Sequence, residues 1–152
     1  MKPALLIALL VLVAGGIAAF SVLGDRADQR VADAFDEPCP DPGDPFVALP
    51  DGYSYRSRPE AAGKVRGEGR EIRRGTTRVG AVFAYSSANA EVLTDPFADG
   101  YEADGMERSE RGDVIVLSRG PERMLVGARE CHVLTLMTVP QYERQLEQTF
   151  FR

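Results

Sequence analysis

The chain has no tryptophan, one histidine and two cysteines, and only Lys2 and Lys64 among its 18 basic residues are lysines. With His132 alone and no paired-ligand spacing around either cysteine, the usual zinc arrangements are excluded. The acids Asp36, Glu37, Asp41 and Asp44 lack the spacing of an EF-hand loop. No GxSxG elbow occurs, and the glycines at "GEG" (Gly67 to Gly69) precede no phosphate-binding helix pattern, so neither a serine-hydrolase elbow nor a P-loop is present. Ser118, His132 and Asp113 are the residues from which a triad would have to be built, and nothing in their spacing brings them together. We therefore expect no metal, no cofactor and no catalysis.

What the sequence does contain begins with an apolar run. From Pro3 to Gly24 there are 22 residues without a charge, "PALLIALLVLVAGGIAAFSVLG". As a helix this run is about 33 Å long, against a hydrocarbon core of about 30 Å. A cleaved signal peptide ending at Gly16 or Ala18 would have no need of Ile17, Phe20, Val22 and Leu23 beyond the cut. Residues 1–24 are accordingly read as an uncleaved signal anchor, with the lipid bilayer as partner of residues 3–24. The basic residues Lys2, Arg26 and Arg30 leave the positive-inside count close to a tie, so the cysteines must decide the orientation.

Both cysteines follow the apolar run. Cys39 sits in "DEPCPDPGDP", where four prolines and a glycine forbid regular structure, and Cys131 opens an apolar stretch. An even pair without CxxC spacing fits one disulfide, which persists in an oxidising compartment. The bridge would fold the leader back onto the body of the protein and place the C-terminal part outside the cytoplasm.

Charge is segregated. Asp25 to Asp51 carries eight acids against two arginines, Arg56 to Arg78 eight basic residues against three acids, and Glu91 to Glu130 ten acids against five arginines. The overall charge is −5. Arg66, Arg70, Arg73, Arg74 and Arg78 of the basic block are the candidate anion-binding residues, for lipid headgroups or an anionic envelope polymer. Only Tyr53 and Tyr55 at its edge offer stacking surfaces, which argues against nucleic acid.

These features divide the chain into a signal anchor (1–24), an acidic proline-rich tether (25–45) and one extracytoplasmic domain (46–152). Within the domain, Gly52–Arg58, Glu71–Arg74, Arg78–Ser86, Val114–Ser118, Arg123–Ala128 and Glu130–Val139 alternate or run apolar as strands do. The last has large side chains of both parities, as a central strand covered on both faces requires. In "SANAEVLTDPF" we expect a short turn, with Asp95 as N-cap and Pro96 at the first helical position. Pro140 opens a final helix whose Tyr142, Leu146 and Phe150 recur every four residues. The fold class is α+β: a small two-layer domain with a mainly antiparallel sheet of five or six strands and helices on one face.

The function expected from this is a membrane-anchored extracytoplasmic binding or accessory domain acting on an envelope protein or ligand. Two alternatives have specific requirements. An envelope-associated hydrolase needs His132 exposed in a pocket, and a structural envelope protein needs the Arg56–Arg78 block on one surface. The anchor is tested by carbonate washing: the full-length chain should stay in the membrane fraction, whereas a soluble form beginning near Gly16 or Ala18 would show cleavage.

Overall fold

The computed structural model describes residues 37–58 and 67–152. The expected anchor, most of the tether and Arg66 lie outside the described residues. Among the described residues, no helix is long and apolar enough to cross a membrane.

Seven strands and two helices follow one another as β1 (Tyr53–Arg58), β2 (Gly67–Arg74), β3 (Thr77–Ser86), α1 (Ala90–Ala103), β4 (Glu107–Arg111), β5 (Val114–Arg119), β6 (Glu122–Arg129), β7 (His132–Thr138) and α2 (Pro140–Phe151). They form one sheet of order β1-β2-β3-β7-β6-β5-β4, antiparallel throughout. The fold is therefore α+β. Two-residue turns join β2 to β3, β4 to β5, β5 to β6 and β6 to β7, and the β3–β7 pairing joins the strands of the first half to those of the second. Four of the turns are two residues long, and each opens with a positive φ: Gly75, Gly112, Gly120 and Glu130. Glu130 is the only one of these without glycine's freedom, and a side chain in this conformation costs about 1 kcal/mol or more. Its neighbour Cys131 holds it there, through the disulfide and through a carbonyl that accepts the Ser87 N–H at 2.8 Å.

Register assigns every side chain to a face. Ala81, Phe83 and Tyr85 of β3 share one face with Val133, Thr135 and Met137 of β7 and with Met124 and Val126 of β6. The other face carries Val82 and Ala84, Leu134 and Leu136, Leu125 and Gly127. Nearly all of these are buried, so both faces need cover. Helix α1 lies on the first face, with the Phe97 ring 4.9 Å from that of Tyr85. Helix α2 lies on the second. A Cβ at Gly127 would come within 2.7 Å of the Phe151 ring, and one at Gly80 would come 3.6 Å from Leu146 and 2.5 Å from the Met137 carbonyl. Glycine at these two positions lets the last helix and the neighbouring strand close on the sheet.

The two-layer arrangement with helices on one face is thus corrected: the helices take opposite faces, because the central strands are apolar on both parities. Two further corrections concern the middle of the chain. Helix α1 starts at Ala90, with Asn89 as its N-cap, and Pro96 lies inside it rather than at its start. Proline there removes the N–H that would bond the carbonyl of Val92, but Val92 is 69 % exposed and the loss falls on the water side of the helix. Strand β4, "ERSER", was not expected, because it contains no apolar residue.

The leader is part of the fold. Cys39 and Cys131 form a disulfide with Cα atoms 6.0 Å apart, within the usual range for a bridge. Glu37 accepts the Ala88 N–H on its carbonyl at 3.1 Å and the Asn89 amide on its carboxylate at 2.9 Å. Further on, Phe46 is buried in edge contact with Tyr55, whose hydroxyl donates to the Val47 carbonyl at 2.9 Å. The guanidinium of Arg70 covers the Phe46 ring at 3.8 Å. Burial pushes the Tyr55 phenol up to about 12, with Arg70 acting in the opposite direction. This part of the leader is a strap that packs over the second face together with α2.

The bridge spans 92 positions, for which loop-closure entropy alone gives roughly 4 to 5 kcal/mol, and disulfides typically deliver roughly 2 to 4 kcal/mol of stability. Cys39→Ser should lower the unfolding free energy by that amount in denaturant titration, and Cys131→Ser in the same background should add little. Additive losses would mean that each sulfur acts separately.

Candidate functional site

The basic block does not form one surface. Its residues alternate along β2 and β3, so the sheet divides them between its faces. Arg73 and Arg78 share the carboxylate of Glu71, at 3.3 and 3.7 Å, on the α1 side. Arg70 and Arg74 lie on the opposite side, Arg70 over Phe46 and paired with Glu68, Arg74 over the Tyr53 ring at 5.6 Å. Four of the five candidate anion-binding arginines thus have partners within the domain, and Arg66 lies outside the described residues.

His132 is 3 % exposed at the start of β7, directly opposite Ser86 on one side and Arg129 on the other. Burial lowers its pKa, Glu130 and Asp44 draw it partly back up, and Arg129 reinforces the lowering. Ser118 is in the row of Arg123 and Thr138, six positions along β7 from His132 and so about 20 Å away. Asp113 lies in the turn between β4 and β5, and the three do not meet.

Two ion-pair clusters tie the edge strand β4 to the helices. Arg108 faces α1, where it meets Asp95, Asp99 at 3.2 Å and Glu102 at 3.5 Å, together with Glu110 of its own strand at 3.1 Å. These carboxylates raise its pKa, the bond to Asp95 most of all. Arg111 has the opposite parity and reaches α2, meeting Glu143 at 2.8 Å and Glu147, which is 3 % exposed. Arg123 adds a contact to Glu143 at 3.3 Å and Arg152 one to Glu147 at 3.6 Å. Clefts of about 480 and 360 Å³ adjoin these two clusters. Their charged groups pair with each other and so serve to clamp β4.

A third cleft, of about 400 Å³, has a different character. It lies where the C-terminal end of α1 meets the β5–β6 hairpin. Met124 and Met137 form part of its lining from directly opposite positions on β6 and β7, Met106 immediately precedes β4, and Tyr101 comes from α1. The Met106 N–H donates to the Tyr101 carbonyl at 3.1 Å, fixing these two residues together. Burial raises the Tyr101 phenol pKa and the nearby Asp104 adds to the rise. At the rim, Arg119 pairs with Glu122 at 2.9 Å and donates to the Asp104 carbonyl at 3.1 Å. Met137 is 40 % exposed, so solvent reaches this residue. Asp104, Arg119, Glu122 and Arg123 also line it, but Tyr101 and the three methionines give this cleft a more apolar wall than the other two, as a small-ligand site has.

Sequence reasoning missed the methionines because no motif contains them. Their signal was the register: a two-residue turn at Glu130 and Cys131 sets Met124 opposite Met137. No protein-family model, curated protein or solved structure matches this chain.

The burial of His132 has a pH consequence. Its folded pKa lies below the ordinary value of about 6.5, so under acid the unfolded chain takes up the proton first. Above that pH the residue contributes no slope; as pH falls from there toward the lowered folded value, stability is lost. Urea midpoints at pH 7.5 and 5.5 should show a smaller acid loss in His132→Asn than in the parent protein, and equal losses would show that the imidazole is not the group responsible.

Proposed function

We propose that this protein is a membrane-anchored extracytoplasmic binding domain, held in the bilayer by residues 3–24 and without catalytic activity of its own. The observation that carries the reading is the Cys39–Cys131 bridge. Such a bond persists where the surroundings are oxidising, and it follows an uncharged run long enough to span. The domain is then a rigid body tied to its own leader, with the cleft lined by Met106, Met124, Met137 and Tyr101 as the place where a ligand or envelope partner is held.

Binding is favoured over hydrolysis because His132 is buried at the start of β7, about 20 Å along the strand from the row of Ser118. It is favoured over attachment to an anionic polymer because the arginines of β2 and β3 are split between two faces and paired there.

Protease added to intact spheroplasts should remove the domain from the membrane fraction while a cytoplasmic marker survives. Protection of the domain until the membrane is lysed would reverse the orientation and end this reading.

A further inference from the structure

We propose that the methionine-lined cleft binds a soft monovalent cation, Cu(I) or its analogue Ag(I), through thioether sulfurs. The proposal rests on the reading of this cleft as the ligand site. Its basis is the placement of methionine. Met124 and Met106 are buried, at 5 and 9 % exposure, but the side chains with the least exposure are Leu93, Leu117, Leu125, Leu134, Leu136 and Leu146 among others, with no methionine. All three methionines among the described residues line this one cleft. Packing accounts for apolar side chains at Met106 and Met124 but does not require methionine, since leucine fills the same volume and the sheet uses it freely elsewhere.

The geometry suits one ion. Met124 and Met137 are directly opposite on neighbouring strands and on the same face, so their Cβ atoms are about 5 Å apart. Side chains with three rotatable bonds reach a common point from there without backbone movement. Met106 contributes from another wall of the same cleft. Solvent reaches Met137, which gives the ion a way in.

Donor chemistry selects the cation. Thioethers favour Cu(I), while imidazole and carboxylate suit harder or more highly charged ions. The two thiols of the chain are locked in the disulfide, and the single imidazole, His132, sits at the opposite end of β7 from Met137. Glu122 at the rim is paired with Arg119. The sulfurs are the soft donors left, and unlike thiolates they are not removed by disulfide formation in an oxidising compartment.

The test uses the full-length chain in detergent micelles, titrated with Ag(I) in chloride-free buffer by calorimetry and with Cu(I) anaerobically against a chromophoric chelator. The parent protein should bind one ion saturably. Met124→Leu and Met137→Leu should each weaken binding about tenfold or more, and the pair should abolish it. His132→Asn should change nothing. Leucine conserves volume, so circular dichroism and thermal unfolding of the variants should stay close to those of the parent. Should the double variant fold poorly, Met137→Leu at its solvent-open position decides alone. Absence of saturable Ag(I) binding by the parent, or undiminished binding by the leucine variants, overturns the proposal. Protease accessibility of the domain is measured independently, so a tethered domain that binds no silver fails here and leaves the placement standing.

Discussion

The pairing of β3 with β7 is the interaction on which the rest of this structure depends. It is the one contact in the sheet between strands distant in sequence, and it unites a three-stranded half with a four-stranded half. Val82, Ala84, Leu134 and Leu136 project to one side of it and Ala81, Val133 and Thr135 to the other, all buried. A strand pair that is apolar on both faces cannot be closed by one layer of helix. It takes α1 on one face, and α2 together with the strap around Phe46 on the other. The edges follow the opposite rule: β4 presents charge on both parities, and its Arg108 and Arg111 point to different faces, one to each helix. An edge strand so marked resists pairing with another chain while remaining fixed to its own.

Much of this was legible in the residues. The two-sided apolarity of β7, the proline that starts α2 and the hairpins closed by glycine are local signals, and the structure has them. The disulfide was legible too, because a cysteine among prolines has no packing role to explain it. Strand β4 was invisible because its stability comes from ion pairs with helices, which no period in "ERSER" records. Pro96 misled because a helix interior excludes proline only where the lost hydrogen bond matters, and exposure of that side is a tertiary fact. The basic block looked like a surface because a count over a sequence window ignores that alternate residues of a strand face opposite ways. The methionine cleft needed three segments brought together, and only the register of β6 against β7 hinted at it.

The disulfide end of the strap and the cleft occupy opposite ends of the sheet. Glu37 and Cys39 are tied down beside Ser87, Cys131 and the start of α1, whereas the cleft opens by the end of α1, the end of β7 and the β5–β6 turn. A ligand in the cleft therefore leaves the strap and its bridge untouched, and a change at the bridge reaches the cleft only through the central strands.

The 92-position separation of the two cysteines also sets an order of assembly. A chain that emerges amino end first presents Cys39 long before Cys131, and β3 long before the strand that pairs with it. Until β7 has appeared, the first hairpins have an open apolar edge and the leading thiol has no native partner. Completion is thus postponed until β7 has been made. The early half must be shielded from wrong pairings in the interval, a kinetic exposure that the finished structure, with its charged edge and closed bridge, no longer shows.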